Sequence, residues 1–204
     1  PAASINLVRK HADSRTPTVS VDLTAGSWRQ RRGELDATLP LTADGSVRAR
    51  AVAVAEDRHS YQALYEKRTN VFYGIVDADL SPRTRVSLGF DRQDNRPRGN
   101  TWGSFPLFLA DGTLADWPRS VTTATNWSFW DRKTQTVFGE LRHVYDDGWS
   151  LRASLSRRRY TEDSALFYVY GFPDPVTGLG LEPYGYRSQG KITENALDVY
   201  ASGP

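Results

Sequence analysis

The 204-residue chain contains no cysteine, which excludes disulfide bonds, thiolate metal sites and cysteine nucleophiles. A chain without cysteine fits an oxidising compartment such as the periplasm or the outer membrane. It also contains no methionine, so the initiator residue is missing, and it ends abruptly at "ASGP". We therefore expect the sequence to be a piece of a longer protein, cut at both ends.

Neither sign of charge is in excess, and long hydrophobic runs are missing. The 26 basic and 24 acidic residues leave a net charge of +2, so bulk charge does not favour nucleic-acid binding. No apolar run approaches the ~20 residues that a transmembrane helix needs. The opening "PAASINLVRK" lacks the basic stretch followed by an apolar stretch that marks a signal peptide.

Catalytic and metal-binding motifs are also missing. The three histidines, His11, His59 and His143, are scattered and do not have the spacing of a metal motif such as H-E-x-x-H. No G-x-S-x-G sequence marks a nucleophilic serine. The sequence therefore predicts neither an enzyme nor a metal site.

The chain does contain many short stretches in which apolar and polar residues alternate. In "DDGWSLRASLSRR" at 146–158, a turn sequence precedes residues that alternate with a period of two. This period is typical of a β-strand with one apolar and one polar face. The same pattern predicts eight strands in all, at 18–25, 34–41, 47–55, 71–80, 85–93, 134–145, 149–159 and 194–202.

The predicted connections alternate between short and long. The short ones, at 42–46, 81–84 and 146–148, have the Gly, Pro, Asp and Ser content of β-turns. The long ones fall at 26–32, 57–68, 94–133 and 160–191. Transmembrane barrels have short turns at one end and long loops at the other, whereas a soluble sandwich follows no such rule. The sequence therefore favours an all-β, antiparallel transmembrane β-barrel over a sandwich.

The two folds differ in what covers the apolar faces. In a barrel, Val86, Leu88, Leu151 and Leu155 contact hydrocarbon, whereas in a sandwich they lie beneath a second layer of protein. The predicted outward faces are rich in alanine, which suits lipid better than a packed core. At strand period Arg158 faces the lumen while Arg157 and Arg159 face outward, so this run does not indicate a nucleic-acid patch.

Ordered segments resemble the TonB-dependent siderophore receptors of the Gram-negative outer membrane. "ASINLVRK" at 3–10 is similar to the last plug strand of that family, although alanine replaces the glycine that is usual near its start. "VSVDLTAGSW" at 19–28 resembles the first barrel strand and its loop. Later barrel strands and loops of the family are similar to residues 48–61, 71–108, 127–159 and 194–204.

The resemblance implies a plugged barrel of about 22 strands. Residues 1–12 would be the end of the plug domain, and 13–204 would form about the first eight strands. The whole protein would bind and import a ferric siderophore with energy from the TonB complex, through a segment that these residues do not include. Its other partners would be outer-membrane lipid and lipopolysaccharide, with no nucleic acid. The siderophore would supply every iron ligand, so no cofactor is expected.

The third long loop is the richest in groups that could bind a siderophore. By resemblance, we expect Trp102, Trp127 and Trp130 to contact the ligand, with Arg119 as a charged partner. Aromatic rings offer contact area at low entropic cost, and arginine offers charge-assisted hydrogen bonds. The alternative is that these tryptophans only pack the loop onto itself or form part of an interfacial girdle.

The fourth long loop adds tyrosines. Tyr168 and Tyr170 are further ligand-binding candidates, and Tyr184 and Tyr186 could line the same vestibule. The alternative is an extended hairpin whose tyrosines pack across its strands. Arginines at 29, 31 and 32 could meet lipopolysaccharide phosphates or form a solvated run. Two other functions stay open: a soluble β-sandwich that binds carbohydrate, and an outer-membrane enzyme or passive porin.

Overall fold

The computed structural model describes residues 8–204, which form one antiparallel sheet of eight strands. Each strand pairs with its neighbours in the sequence, so the spatial order is the chain order. The strands are β1 (Thr18–Gly26), β2 (Gln30–Pro40), β3 (Val47–His59), β4 (Glu66–Ser81), β5 (Thr84–Arg98), β6 (Phe129–Val144), β7 (Ser150–Gly171) and β8 (Leu181–Ser202).

Tight turns join β2 to β3, β4 to β5 and β6 to β7, as predicted. In the first, the Leu41 amide donates to the Val47 carbonyl at 2.7 Å, and Gly45 adopts a φ of 66° that favours glycine. Hydrogen bonds from the Thr42 hydroxyl and from Ser46 lower the pKa of Asp44 to about 2. In the third, the Tyr145 amide donates to the Trp149 carbonyl at 2.8 Å. These contacts keep one end of the sheet short.

One face of the sheet exposes large apolar side chains. Leu88 is 65% exposed and Leu155 60%, while Val86 and Leu151 are half-buried between neighbouring strands. All residues from 18 to 202 that belong to strands lie in the single sheet, so no second sheet covers this face. The described residues therefore exclude the sandwich and agree with the predicted barrel wall.

The other face, here called the inner face, carries the buried side chains of the lower half of the sheet. The described residues that precede β1 cross this face and cover it, as the hydrogen bonds of His11 and Ala12 to the wall show. The buried positions alternate with the exposed apolar ones, as the period of two requires. The buried residues on this face are Thr38, Arg48, Val52, Ile75, Asp77, Ser87 and Phe138.

The strands on the loop side are longer than the sequence predicted. β7 and β8 have 22 residues each, so the connection predicted at 160–191 shrinks to 172–180. The error has a physical cause. Beyond the apolar belt the two faces of a strand no longer contact different solvents, so apolar–polar alternation stops while backbone pairing continues, for example between Tyr168 and Tyr184. The connection predicted at 94–133 likewise narrows to 99–128.

β1 and β8 are the two edges of the sheet. Within residues 8–204, β1 pairs only with β2 and β8 pairs only with β7. The described part of the chain contains no helix that could cross a membrane. Most of the predicted plug end, residues 1–7, lies outside the described residues.

Candidate functional site

Four loops gather at the end of the sheet opposite the tight turns. They contact one another through both side chains and backbone. The Trp28 and Tyr61 rings lie 6.2 Å apart, the Ala63 amide donates to the Ser120 carbonyl at 2.9 Å, and the Ala110 amide donates to the Pro173 carbonyl at 3.0 Å. The loops are L1 (27–29), L2 (60–65), L3 (99–128) and L4 (172–180).

An aromatic cluster lies where L3 folds against the upper β7–β8 hairpin. The Trp102 ring stacks on Tyr186 with 4.4 Å between centroids and meets Tyr168 edge-on at 5.2 Å. Tyr184 lies 6.1 Å from Trp102 and 5.3 Å from Tyr168. Tyr170 extends the row, with 6.1 Å between its ring and that of Tyr168. The aromatic cluster therefore brings three predicted site residues together: Trp102, Tyr168 and Tyr170.

The aromatic cluster lies on the inner face and is open to a ligand. Tyr168 and Tyr184 are cross-strand partners, and their even-numbered positions face the same way as Ser154 and Asp198 lower on the same strands. Trp102 is 40% exposed and Tyr184 45%, so each offers ring area that no described residue covers. The aromatic cluster can thus stack a planar or extended ligand above the lumen.

Trp102 is held from behind by the rest of L3. The Thr123 hydroxyl donates to the Gly103 carbonyl at 2.8 Å, which ties the residue after Trp102 to the far side of the loop. Gly103 lies so close to Tyr168 that an added Cβ would be 3.0 Å from the tyrosine Cβ. The loop backbone therefore approaches the hairpin closely, and this places the Trp102 ring on the tyrosines.

Trp127 lies on the opposite face of the same hairpin. Its ring meets Phe167 edge-on at 5.9 Å, and Phe167 precedes Tyr168 in β7, so the two side chains point to opposite faces. Trp127 is 52% exposed on that outer side. The structure therefore does not bring Trp127 together with the aromatic cluster.

Trp130 and Arg119 are also separate from the aromatic cluster. Trp130 lies at the loop end of β6, below the aromatic cluster on the inner wall, as the cross-strand partner of Ser164. Its indole nitrogen is buried and has no hydrogen-bond partner among the described residues. The Arg132 guanidinium lies 5.2 Å from the centre of the Trp130 ring. Arg119 lies 5.0 Å over the Tyr61 ring, where it links L3 to L2.

Aspartates shape the tips of two loops. Backbone hydrogen bonds from Thr177 and Val176 lower the pKa of Asp174 in L4, and the hydroxyl and amide of Thr113 lower that of Asp111 in L3. Both carboxylates are therefore charged at neutral pH and serve as turn acceptors. Their oxygens accept hydrogen bonds within their own loops, so they add no acid or base chemistry to the aromatic cluster.

A second constellation binds residues 9–12 to the inner wall; we call it the wall clamp. Asp77 has no exposed surface and accepts hydrogen bonds from the Ala12 amide at 2.6 Å, from His11 at 2.9 Å and from the Ser87 hydroxyl. Arg48, only 1% exposed, donates to the Ala12 carbonyl at 2.6 Å and to Asp79 at 2.8 Å. Both peptide groups of Ala12 are thus held by buried charges.

Other strands extend the wall clamp along the same segment. The Tyr73 hydroxyl donates to the Lys10 carbonyl at 2.6 Å, and Arg50 donates to the His11 carbonyl at 2.9 Å. Arg9 pairs with Glu140 at 2.5 Å. The sequence predicted strands with a polar face towards the lumen, but it did not predict the wall clamp. The alternation of Arg and Asp on β3 and β4 does not indicate which backbone groups these side chains bind.

Metal binding by the chain itself has no support in the described residues. Among residues 8–204, no three His, Asp or Glu side chains come close enough together to hold a metal ion. Several inner-face carboxylates are instead paired with cations, as Asp36 is with Arg50 at 2.7 Å. The arrangement suits binding and positioning rather than acid–base catalysis.

Comparison with known sequences finds receptors. The chain is 40% identical over 204 residues to the ferripyoverdine receptor of Pseudomonas aeruginosa, covering 99% of this chain and 25% of that protein. It is 33% identical over 207 residues to the ferric-pyoverdine M114 receptor PbuA of Pseudomonas sp. (strain M114), covering 99% and 24%. The chain thus spans about a quarter of the length of these curated relatives. No family model matches the chain.

Comparison with solved structures gives the same result. The crystal structure of the ferripyoverdine receptor of the outer membrane of Pseudomonas aeruginosa, bound to ferripyoverdine, superposes with a TM-score of 0.83 at 40% sequence identity. The match covers 90% of this chain and 24% of the receptor chain.

Proposed function

We propose, because the chain belongs by homology to the ferripyoverdine receptors of the Gram-negative outer membrane, that the protein containing it binds and imports a ferric siderophore of the pyoverdine class. Four relatives that align over nearly the whole chain are receptors for ferric pyoverdines. This segment contributes a wall of the barrel and part of the outer vestibule in which the ligand binds.

The aromatic cluster is the observation that carries the proposal. Trp102 and the tyrosines of the β7–β8 hairpin expose ring area on the inner face at the loop end of the sheet. Aromatic side chains with two rotatable bonds bind a large ligand at low conformational cost. Trp102, Tyr168 and Tyr170 therefore contact the chelate from one side, and Trp130 lies deeper on the same wall. Trp127 and Arg119 would contribute only if the ligand reaches the outer side of the hairpin or L2.

The remaining parts of the proposal follow from the family. Iron enters as the cargo of the siderophore, which supplies its donors, so the protein acts without a cofactor and without catalysis. Import is driven by the TonB complex through the plug, and outer-membrane lipid and lipopolysaccharide surround the barrel. The wall clamp would hold residues 9–12 against the barrel wall during import.

A binding measurement on the full-length receptor tests the proposal. Purified receptor carrying Trp102→Ala is titrated with pyoverdine loaded with radioactive iron. We expect affinity to fall at least about tenfold, because truncating a well-packed interface tryptophan costs ~1.4 kcal/mol or more. Trp102→Phe should recover most of the loss because it restores a ring. Growth under iron limitation, with pyoverdine as the sole iron source, should fall in the same order.

The control is Trp149→Ala, which removes a tryptophan of similar exposure, 46%, at the opposite end of the sheet. Affinity for ferripyoverdine should not change in this variant. The affinities of Trp130→Ala and Trp127→Ala then show whether the inner wall or the outer face of the hairpin contributes more to ligand binding. If Trp102→Ala binds and grows like the wild type, the aromatic cluster is not the ligand site.

A further inference from the structure

Four cations lie together on the outward face of the sheet, just beyond its apolar belt. Lys133 of β6, Arg157 and Arg159 of β7 and Lys191 of β8 all occupy outward positions, because they share the parity of the exposed Leu155 and Leu197. Arg157, Arg159 and Lys191 are exposed, and the Lys133 side chain is 41% exposed. We call these four residues the basic patch.

The cross-strand register places the four charges next to one another. Arg159 lies between Gln135 and Thr193, and one pair further along the strands Thr161 lies between Lys133 and Lys191. Lys133 and Lys191 are therefore diagonal neighbours of Arg159, ~7–8 Å away, and Arg157 follows two residues along the same strand. The other three cations therefore lie within about one Debye length of Arg159.

The described part of the chain supplies little negative charge to the basic patch. Arg157, Arg159 and Lys191 form no ion pair within residues 8–204, and Lys133 has only a distant contact with Asp94 at 3.8 Å. Asp94 pairs more closely with Arg92, at 2.8 Å. Two other outward carboxylates near the basic patch are also paired, Asp163 with Arg187 at 2.7 Å and Asp131 with Arg98 at 2.5 Å. Neighbouring like charges repel, so the basic patch favours an anion from outside the sheet.

The position of the basic patch indicates the source of that anion. Arg157 sits directly between Val137 and Asn195, and the next outward residue below it is Leu155. Val137 is 60% exposed and Leu197 72%, as expected of side chains that contact hydrocarbon. The basic patch therefore begins where the apolar surface ends, and the arginine and lysine stems can lie on that surface with their charges at headgroup level.

We propose that the basic patch binds the phosphate groups of a phosphorylated glycolipid in the outer leaflet of the outer membrane. The proposal rests on the outer-membrane location stated under the proposed function and names the residues that meet the lipid. Arginine binds phosphate through paired N–H donors, and Lys133 and Lys191 add point charges. Gln135, Thr193 and Asn195 provide neutral hydrogen-bonding groups between the cations.

The test uses the full-length receptor, purified in a neutral detergent and titrated with diphosphorylated lipid A. The double variant Arg157→Gln/Arg159→Gln is compared with the wild type for its affinity for lipid A, measured by native mass spectrometry. Each surface cation contributes about fivefold to binding of an anionic lipid, so we expect a loss of about tenfold to thirtyfold. Arg157→Lys/Arg159→Lys should retain most of the affinity because the charges remain.

The chain offers a matched control in Arg158, which lies between the two arginines but faces inward near Glu194 at 3.5 Å. Arg158→Gln should bind lipid A like the wild type. Dephosphorylated lipid A should bind the wild type and all variants with equal affinity. Millimolar inorganic phosphate should not compete with lipid A, because the site also requires the acyl chains beside Leu155. Heat-modifiable migration on gels confirms that each variant is folded.

Three results would overturn the proposal: equal lipid A affinity in the double variant, an equal loss in Arg158→Gln, or full competition by inorganic phosphate. The binding of ferripyoverdine is measured on the same samples. A wild-type receptor that binds lipid A through the basic patch but not ferripyoverdine would disprove the proposed function and leave this inference standing. The opposite result would disprove only the inference.

Discussion

The carboxylate of Asp77 and the imidazole of His11 lie 2.9 Å apart, although the two residues are separated by 66 positions in the sequence. The same carboxylate binds the Ala12 amide at 2.6 Å, so it holds both a side chain and the backbone of the segment that crosses the inner face. A buried carboxylate with three donors is a strong local anchor.

Asp77→Ala should release this segment from the wall. The change leaves the Ala12 amide and the Ser87 hydroxyl without their acceptor, so we expect the full-length receptor to lose about 3 kcal/mol of unfolding free energy. Trypsin should then cleave after Arg9 and Lys10 faster than in the wild type. The control is Asp91→Ala, on the same face, because the Asp91 side chain makes no hydrogen bond to a described residue; this variant should change neither quantity. Unchanged proteolysis in Asp77→Ala would show that other contacts suffice.

Gly89→Ala should destabilise the inner wall. A Cβ at this position would overlap the Phe138 ring, which is 3% exposed and held between the Arg9 guanidinium at 4.3 Å and the Tyr73 ring at 6.2 Å. Because the ring cannot move freely, we expect a loss of about 1–3 kcal/mol in urea unfolding of the receptor. Gly74→Ala is the matched control, since its Cβ would meet the Phe72 ring at an ordinary 3.5 Å. Equal stabilities of the two variants would contradict this account.

Gly99→Ala should separate L3 from L2. Gly99 has a φ of 59°, and a Cβ there would overlap the Leu64 backbone carbonyl, which cannot rotate away as a side chain could. We expect faster proteolysis within L2 and L3 and weaker binding of ferripyoverdine, with the barrel still folded. Gly112→Ala carries the same kind of φ cost, at 84°, but its Cβ would meet open space. That variant should bind like the wild type; if both lose affinity equally, strain and not loop packing is the cause.

The isolated polypeptide of residues 1–204 should not insert stably into a membrane. Both edges of the sheet, β1 and β8, leave a row of backbone groups unpaired within the described residues, and hydrocarbon does not tolerate such groups. The measurement is heat-modifiable migration after refolding in detergent, with the full-length receptor refolded in parallel as the control. A heat-resistant monomer of the isolated polypeptide would show that the edges pair or close in a way not seen here.

The sequence predicted the membrane-facing part of the sheet well because the physics there is local. Leu151, Ala153 and Leu155 alternate with polar neighbours, since each side contacts a different solvent, and this alternation marks both the strand and its faces. Above the apolar belt, polar residues occupy both faces of the hairpin, for example Glu162 on the inner face and Gln189 on the outer face. Their pairing depends on the partner strand, so the upper half of the β7–β8 hairpin could not be predicted from periodicity.

The candidate site could be predicted by residue type but not by arrangement. Aromatic residues in L3 and in the β7–β8 hairpin drew attention by their number, and Trp102 and Tyr168 do meet at 5.2 Å. Trp127 also has aromatic neighbours in the sequence, yet its ring packs on Phe167 on the other face of the hairpin. A one-residue change in position along a strand reverses the face, and the path of a 30-residue loop across that strand is a tertiary property.

The neighbour-to-neighbour order of the sheet has a consequence for how the chain assembles. Every strand docks onto the one made just before it, so each new hairpin needs only a short search. The exception is the closure of L3, whose ends are separated by residues 99–128; closing it costs ~2 kcal/mol more chain entropy than closing L1. Two blocks, β1–β5 and β6–β8, can therefore form early. The pairing of β5 with β6 then limits the rate at which the whole sheet forms.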